Sequence, residues 1–247
     1  MTELIFDGAW LLAVAQIIAI DILLGGDNAV VIALACRKLP ENQRNKGIFW
    51  GVVGAIALRI VLIFFALQLL ALPFLRVVGA ALLAWIGIKL LQPEDDAHDN
   101  VGASDHLLGA IRTVVVADAV MSIDNVIAVA AAARGDMALV VFGIVVSVPI
   151  IVWGSKFVLR LMDRFPLFIT LGAGLLGWIA GEMLVADVFF ADYFGGTVPA
   201  AAKYGAAVAG ALIVVVAGTM LARMRATEDE SDEQPAVLAP QGPERES

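Results

Sequence analysis

The sequence predicts an all-α polytopic membrane protein of about seven transmembrane helices, an inverted three-plus-three repeat with one helix added at its C-terminal end. Three observations predict it: an apolar composition, a succession of long apolar spans, and a motif that recurs in the second half. Of 247 residues, 61% are hydrophobic and 16% charged, and the mean hydropathy is +0.91, far outside the soluble range. The net charge of -8 is less telling, because much of the acid sits in TEDESDEQ from Thr227 and PEDDAHDN from Pro93. A single cysteine, Cys36, excludes an internal disulfide and cannot build a zinc or iron–sulfur site alone. The start MTELIFDGAW has no basic segment and carries Glu3 and Asp7, so its first apolar stretch is expected to be a retained helix and not a cleaved leader.

Spans are expected at about 9–35, 48–71, 74–91, 111–133, 137–158, 166–186 and 202–222, each near the length a bilayer requires. Arg37, Lys38, Arg44, Lys46, Lys89, Arg112, Lys156, Arg160, Arg164, Arg223 and Arg225 fall on one side, against Arg76, Arg134 and Lys203 on the other. By the positive-inside rule the richer side is cytoplasmic, with the N-terminus outside and the C-terminus inside. Past Ala226 the chain is acidic and then Pro-containing, and is expected to be without order.

DILLGGDNAVVIALACR from Asp21 aligns with DAVMSIDNVIAVAAAAR from Asp118, which matches Asp21 to Asp118, Asp27 to Asp124, Asn28 to Asn125 and Arg37 to Arg134. GAALLAWIGIKLL from Gly79 aligns with GAGLLGWIAGEML from Gly172 in the same order. A unit of three crossings forces its second copy to enter from the opposite face. The expected organisation is a first repeat over 1–91, an acidic linker over 92–110, an inverted repeat over 111–188, an external loop and seventh helix over 189–225, and a tail over 226–247. Inverted repeats are common in secondary transporters, with the substrate bound at the midplane where the halves meet.

An ionised carboxylate at the bilayer centre costs about 2.5–3.5 kcal/mol, so Asp21, Asp27, Asp118 and Asp124 together stand for on the order of 10 kcal/mol. Interhelical hydrogen bonding is one way to offset this; a bound cation at a duplicated, symmetric pair is the better one. On a straight helix Asp21 and Asn28 are roughly 10 Å apart along the axis and cannot share an ion. Gly25-Gly26 is therefore expected to interrupt the first helix and free carbonyls for a cation. Ser122, four residues after Asp118, is expected beneath that carboxylate or bonded back to a carbonyl. No span contains a histidine. Oxygen ligands of this kind suit Mg²⁺, Ca²⁺ or Mn²⁺ and disfavour softer metals. Coupling to H⁺ and coupling to Na⁺ are equally compatible with them.

At these residues the chain resembles the TerC family of integral membrane proteins, from about residue 5 to 222. The signatures are Gly25-Gly26-Asp27-Asn28-Ala29 and Ser122-Ile123-Asp124-Asn125, each with a further acid six residues before its own aspartate. The resemblance implies Mn²⁺ export from the cytoplasm across a bacterial inner membrane. It assigns ligand roles to Asp27, Asn28, Asp124 and Asn125, with Asp21 and Asp118 as close candidates. The partners implied are a divalent metal ion and the lipid bilayer, without a resident cofactor or nucleic acid; a homo-oligomer is left open.

Arg59 breaks the symmetry of the halves, since its repeat counterpart near Ile151 is apolar. It is expected either to bridge an intramembrane aspartate or to act as a counter-charge to metal or proton. Lys89 and Glu182, at matched positions near opposite faces, suit snorkelling. His98 and His106, beside Glu94, Asp95, Asp96, Asp99 and Asp105, read as a solvated linker. A retinal protein needs a lysine inside its last helix, where Lys203 stands only at the mouth. No span holds a hydrolytic set, so no enzyme activity is expected. The remaining rivals are a Ca²⁺ exchanger and an accessory protein that supplies metal to secreted proteins.

Overall fold

The computed structural model describes residues 8–65, 72–92, 103–132, 137–194 and 197–233. Within these, the backbone alone is described at 8–13, 20, 22–25, 103, 124–132, 137, 139, 191–192 and 226–233. The helices are α1 (Gly8–Arg37), α2 (Glu41–Phe64), α3 (Leu75–Leu91), α4 (Ala103–Ala132), α5 (Met137–Arg164), α6 (Leu167–Val185), the short α7 (Val188–Tyr193) and α8 (Ala200–Glu233). No strand occurs among the described residues. Glu41–Phe64, Ser104–Ile123, Val140–Arg164, Leu167–Val185 and Ala200–Arg225 are each long and apolar enough to cross a membrane. Burying every backbone polar group within helices is what an apolar solvent demands, and the chain is a polytopic α-helical membrane protein.

Helix packing follows the repeat. Exchanging α1 with α4, α2 with α5 and α3 with α6 maps the α1–α5 contact onto α2–α4, and α3–α4 onto α1–α6; all four are present. The pairs α1–α4, α2–α5 and α3–α6, each mapped onto itself, are present too. Glycines show the same exchange at short range. A Cβ on Gly79 would meet Val120 of α4, and one on Gly172 would meet Val30 and Leu34 of α1. Helix α8 stands outside the exchange, against α6 and α3.

Several boundaries differ from those expected. The second helix begins at Glu41 and ends at Phe64, because ENQRNK after Pro40 forms a polar first turn that hydropathy does not register. The fourth begins at Ala103, inside the span assigned to the linker. The last continues to Glu233, through residues expected to lack order; Glu and Arg are good helix formers. The linker acids at 93–99 with His98, and the tail beyond 233, lie outside the described residues, whereas His106 is exposed on α4.

At the rim, Asp187 follows α6, outside the spanning helices, yet is only 1% exposed. Its carboxylate accepts the backbone N–H of Phe74 (3.1 Å), Arg76 (3.1 Å) and Phe189 (3.0 Å), capping α3 across the repeat boundary and α7 locally. Phe74 stands in the left-handed region with φ 65°, which turns the chain into α3. Burial disfavours the charge, but these N–H bonds outweigh it and hold the carboxyl below the usual range. Stability from this group is therefore complete at neutral pH and is lost as pH falls through the depressed folded value. Asp187→Ala is expected to cost about 1–2 kcal/mol and to flatten the acid limb of a melting-temperature profile in detergent. The other rim charges also find neighbours: Glu182 meets Lys203 at 3.7 Å, and Lys89 lies 5.1 Å over the Trp85 ring.

Candidate cation site

Four helices bring the intramembrane polar side chains into two layers. In the first, Asp21 of α1 and Asp118 of α4 are held by one guanidinium, that of Arg59 on α2. Nη1 donates to Asp21 Oδ1 and Nη2 to Asp118 Oδ1, while Nε donates to Ser122 Oγ at 2.9 Å. Ser122 in turn donates to Asp118 Oδ2 at 3.1 Å, the first of its two expected arrangements. Asp21, Arg59, Asp118 and Ser122 are all at most 6% exposed. An arginine in such surroundings keeps its charge, and the group is held by charge-assisted bonds on every side. Arg59 thus bridges two aspartates instead of one.

Ser147 of α5 was not legible as a member of this layer. Its Oγ bonds Asp21 Oδ2 and also lies 2.7 Å from the carbonyl of Ile144. A mid-span serine ordinarily bonds back to its own helix, so nothing in its neighbourhood marks it out. The repeat holds the one available signal. Position 122 carries a hydroxyl for Asp118, while the matching position is Gly25, and Asp21 must find its hydroxyl elsewhere. Ser147 supplies it.

The second layer lies six residues along α1. The interruption expected at Gly25-Gly26 is absent, since α1 is one helix from Gly8 to Arg37. Glycine weakens a helix by about 1 kcal/mol against alanine, but carbonyls freed in an apolar interior cost more than that each. On this straight helix Asp27 stands about 9 Å along the axis from Asp21, and the two acids belong to separate layers. Asp27 is half-buried and accepts the N–H of Asn28 at 2.9 Å. Asn28 is 3% exposed, and among the described residues neither its Oδ1 nor its Nδ2 has a hydrogen-bond partner.

That orphaned carboxamide is the anomaly of the site. Burying an amide without a partner costs about 1–3 kcal/mol, and native structures keep few such groups without a reason. A carboxamide oxygen next to a carboxylate can hold a hard cation. Among the described residues no three of His, Cys, Asp and Glu gather to hold a metal. Asp124 and Asn125 occupy the equivalent register of α4, and their side chains lie outside the described residues. Beside the pair, a Cβ on Gly26 would meet nothing within 4 Å. Gly26→Ala is therefore expected to raise the melting temperature in detergent, by up to about 1 kcal/mol of stability; a fall would show that glycine serves this conformation.

Comparison with known proteins adds an independent line. The profile described as Integral membrane protein TerC family matches residues 6–227. The uncharacterized membrane protein YjbE of Bacillus subtilis (strain 168) is 47% identical over 178 residues, covering 72% of this chain and 81% of that protein. The uncharacterized membrane protein YceF of the same organism is 27% identical over 180 residues, 69% of each. The tellurium resistance protein TerC of Serratia marcescens is 30% identical over 92 residues, 36% of this chain and 27% of that protein. No solved structure matches.

Proposed function

This chain belongs to the TerC family of integral membrane proteins, and from that premise we propose that it exports a hard divalent cation, Mn²⁺ foremost, from the cytoplasm across a bacterial inner membrane. The observation that carries this reading is the buried carboxamide of Asn28 beside Asp27, unpartnered among the described residues. It is a polar group kept where it costs stability, at the position the duplicated motif marks. The symmetric packing of two three-helix units supports a transporter, since such units rock about a central site to give alternating access. Oxygen donors without imidazole or thiolate favour Mn²⁺, Ca²⁺ or Mg²⁺ over Zn²⁺, and the family resemblance selects Mn²⁺. The basic excess on the side of Arg37, Lys38, Arg44 and Lys46 supports a cytoplasmic reading of that side. Exchange against H⁺ or Na⁺ would drive the cation outward.

The test is flux. Full-length protein in liposomes should move Mn²⁺ down an imposed gradient, with Ca²⁺ and Mg²⁺ competing less well and Zn²⁺ least. Binding without flux would remove the transporter reading in favour of a protein that hands metal to others.

A further inference from the structure

The layer around Arg59 carries an inference that rests on the transport reading and extends it. The groups that grip the guanidinium are two carboxylates and a hydroxyl, converging on a single positive charge. That is also an all-oxygen set of the kind a hard divalent cation takes. Asp21 and Asp118 are equivalents in the two halves, and Arg59 is not; its counterpart at about Ile151 is apolar. A cation has been added to a pair of acids that the repeat alone would leave facing each other uncompensated.

We propose that Arg59 is a tethered counter-cation occupying a latent divalent-cation seat formed by Asp21, Asp118 and Ser122. The guanidinium fills this seat whenever the transported ion does not. An arginine cannot leave by losing its proton, so it yields the carboxylates only by swinging its side chain away. Asp27 stands about 9 Å along α1 from Asp21, which makes the seat the next stop for an ion held at Asp27 and Asn28. Mutual repulsion between that ion and the guanidinium couples its advance to the swing. When no ion is present, the filled seat closes the centre of the bundle against leak.

Equilibrium dialysis of Mn²⁺ against the full-length chain purified in detergent tests this. The wild type should bind one ion per chain and Arg59→Gln two, with Arg59→Lys remaining at one. Arg59→Gln combined with Asp118→Asn should return to one, whereas Arg59→Gln combined with Asp27→Ala should lose only the original ion. Arg59→Gln with wild-type stoichiometry and affinity would overturn the proposal. Should the wild type bind none while Arg59→Gln binds one that Asp118→Asn removes, the Asp27–Asn28 reading falls and this one stands. If Arg59→Gln is recovered folded only with Mn²⁺ in the buffer, the ion is replacing the guanidinium, as proposed. Failure to recover it even with Mn²⁺, while the charge-restoring Arg59→Gln, Asp21→Asn pair folds, would sink the idea.

Discussion

Asn28→Leu should abolish Mn²⁺ flux and, at the same time, raise thermal stability. The two effects have one cause. Asn28 is buried with both amide atoms unpartnered among the described residues, so the fold bears a desolvation cost of about 1–3 kcal/mol for that group. Leucine has a similar shape and no polar atom, and should relieve that cost while removing an oxygen from the seat. Loss of a direct cation ligand should weaken binding by about 100-fold or more, since even outer partners of a metal ligand are worth about 10–100-fold. Asp27→Ala should match it in flux but not in stability, because Asp27 is half-buried and already bonds the Asn28 backbone. Flux in liposomes and melting in detergent, measured on the same preparations, separate the outcomes. A leucine variant that melts lower and still transports would show that Asn28 is a packing residue.

How much of this was legible in the sequence depends on which physical constraint spoke. The helical class and the pairing of halves follow from hydropathy and a recurring motif, and most of the contacts among α1–α6 are related by exchange of the halves. Helix ends were less legible, because residues 41–47 and 226–233 are helical without being apolar. An aspartate partner was one of the two roles expected of Arg59, since an unpaired guanidinium at mid-span is untenable. That it would take two, from different halves, required α1, α2 and α4 to be assembled. The break at Gly25-Gly26 was expected from glycine's freedom, whereas the structure follows the stronger demand that backbone groups in an apolar medium stay bonded. Ser147 left no local trace, and only the missing hydroxyl at Gly25 hints that one must come from elsewhere. The orphaned amide of Asn28 is likewise a property of its surroundings.

Gly181→Val should detach α8 from the bundle and lower the melting temperature sharply, whereas Gly205→Val on α8 itself should change little. A Cβ on Gly181 would stand 2.0 Å from the Ala206 carbonyl oxygen and 2.6 Å from its carbon. One on Gly177, a turn earlier, would stand 2.4 Å from the Gly210 oxygen, and one on Gly210 2.2 Å from that of Gly177. These are backbone atoms, so no side chain can rotate away and the whole helix must move. Around Gly205 a Cβ meets nothing within 4 Å. Overpacking in a water-soluble core typically costs about 1–3 kcal/mol, because the hydrophobic effect still holds the displaced element in place. In lipid that restraint is missing. Tyr204, Leu212, Ile213, Val216 and Met220 of α8 are all exposed on its outer surface, where acyl chains solvate them as well as protein would. What docks the helix is close contact through small residues, and a contact of that kind fails all at once when its backbones are pushed apart. Melting temperature and protease sensitivity of Gly181→Val against Gly205→Val measure that difference, and equal behaviour of the two would mean that α8 is held by something other than the α6 glycines.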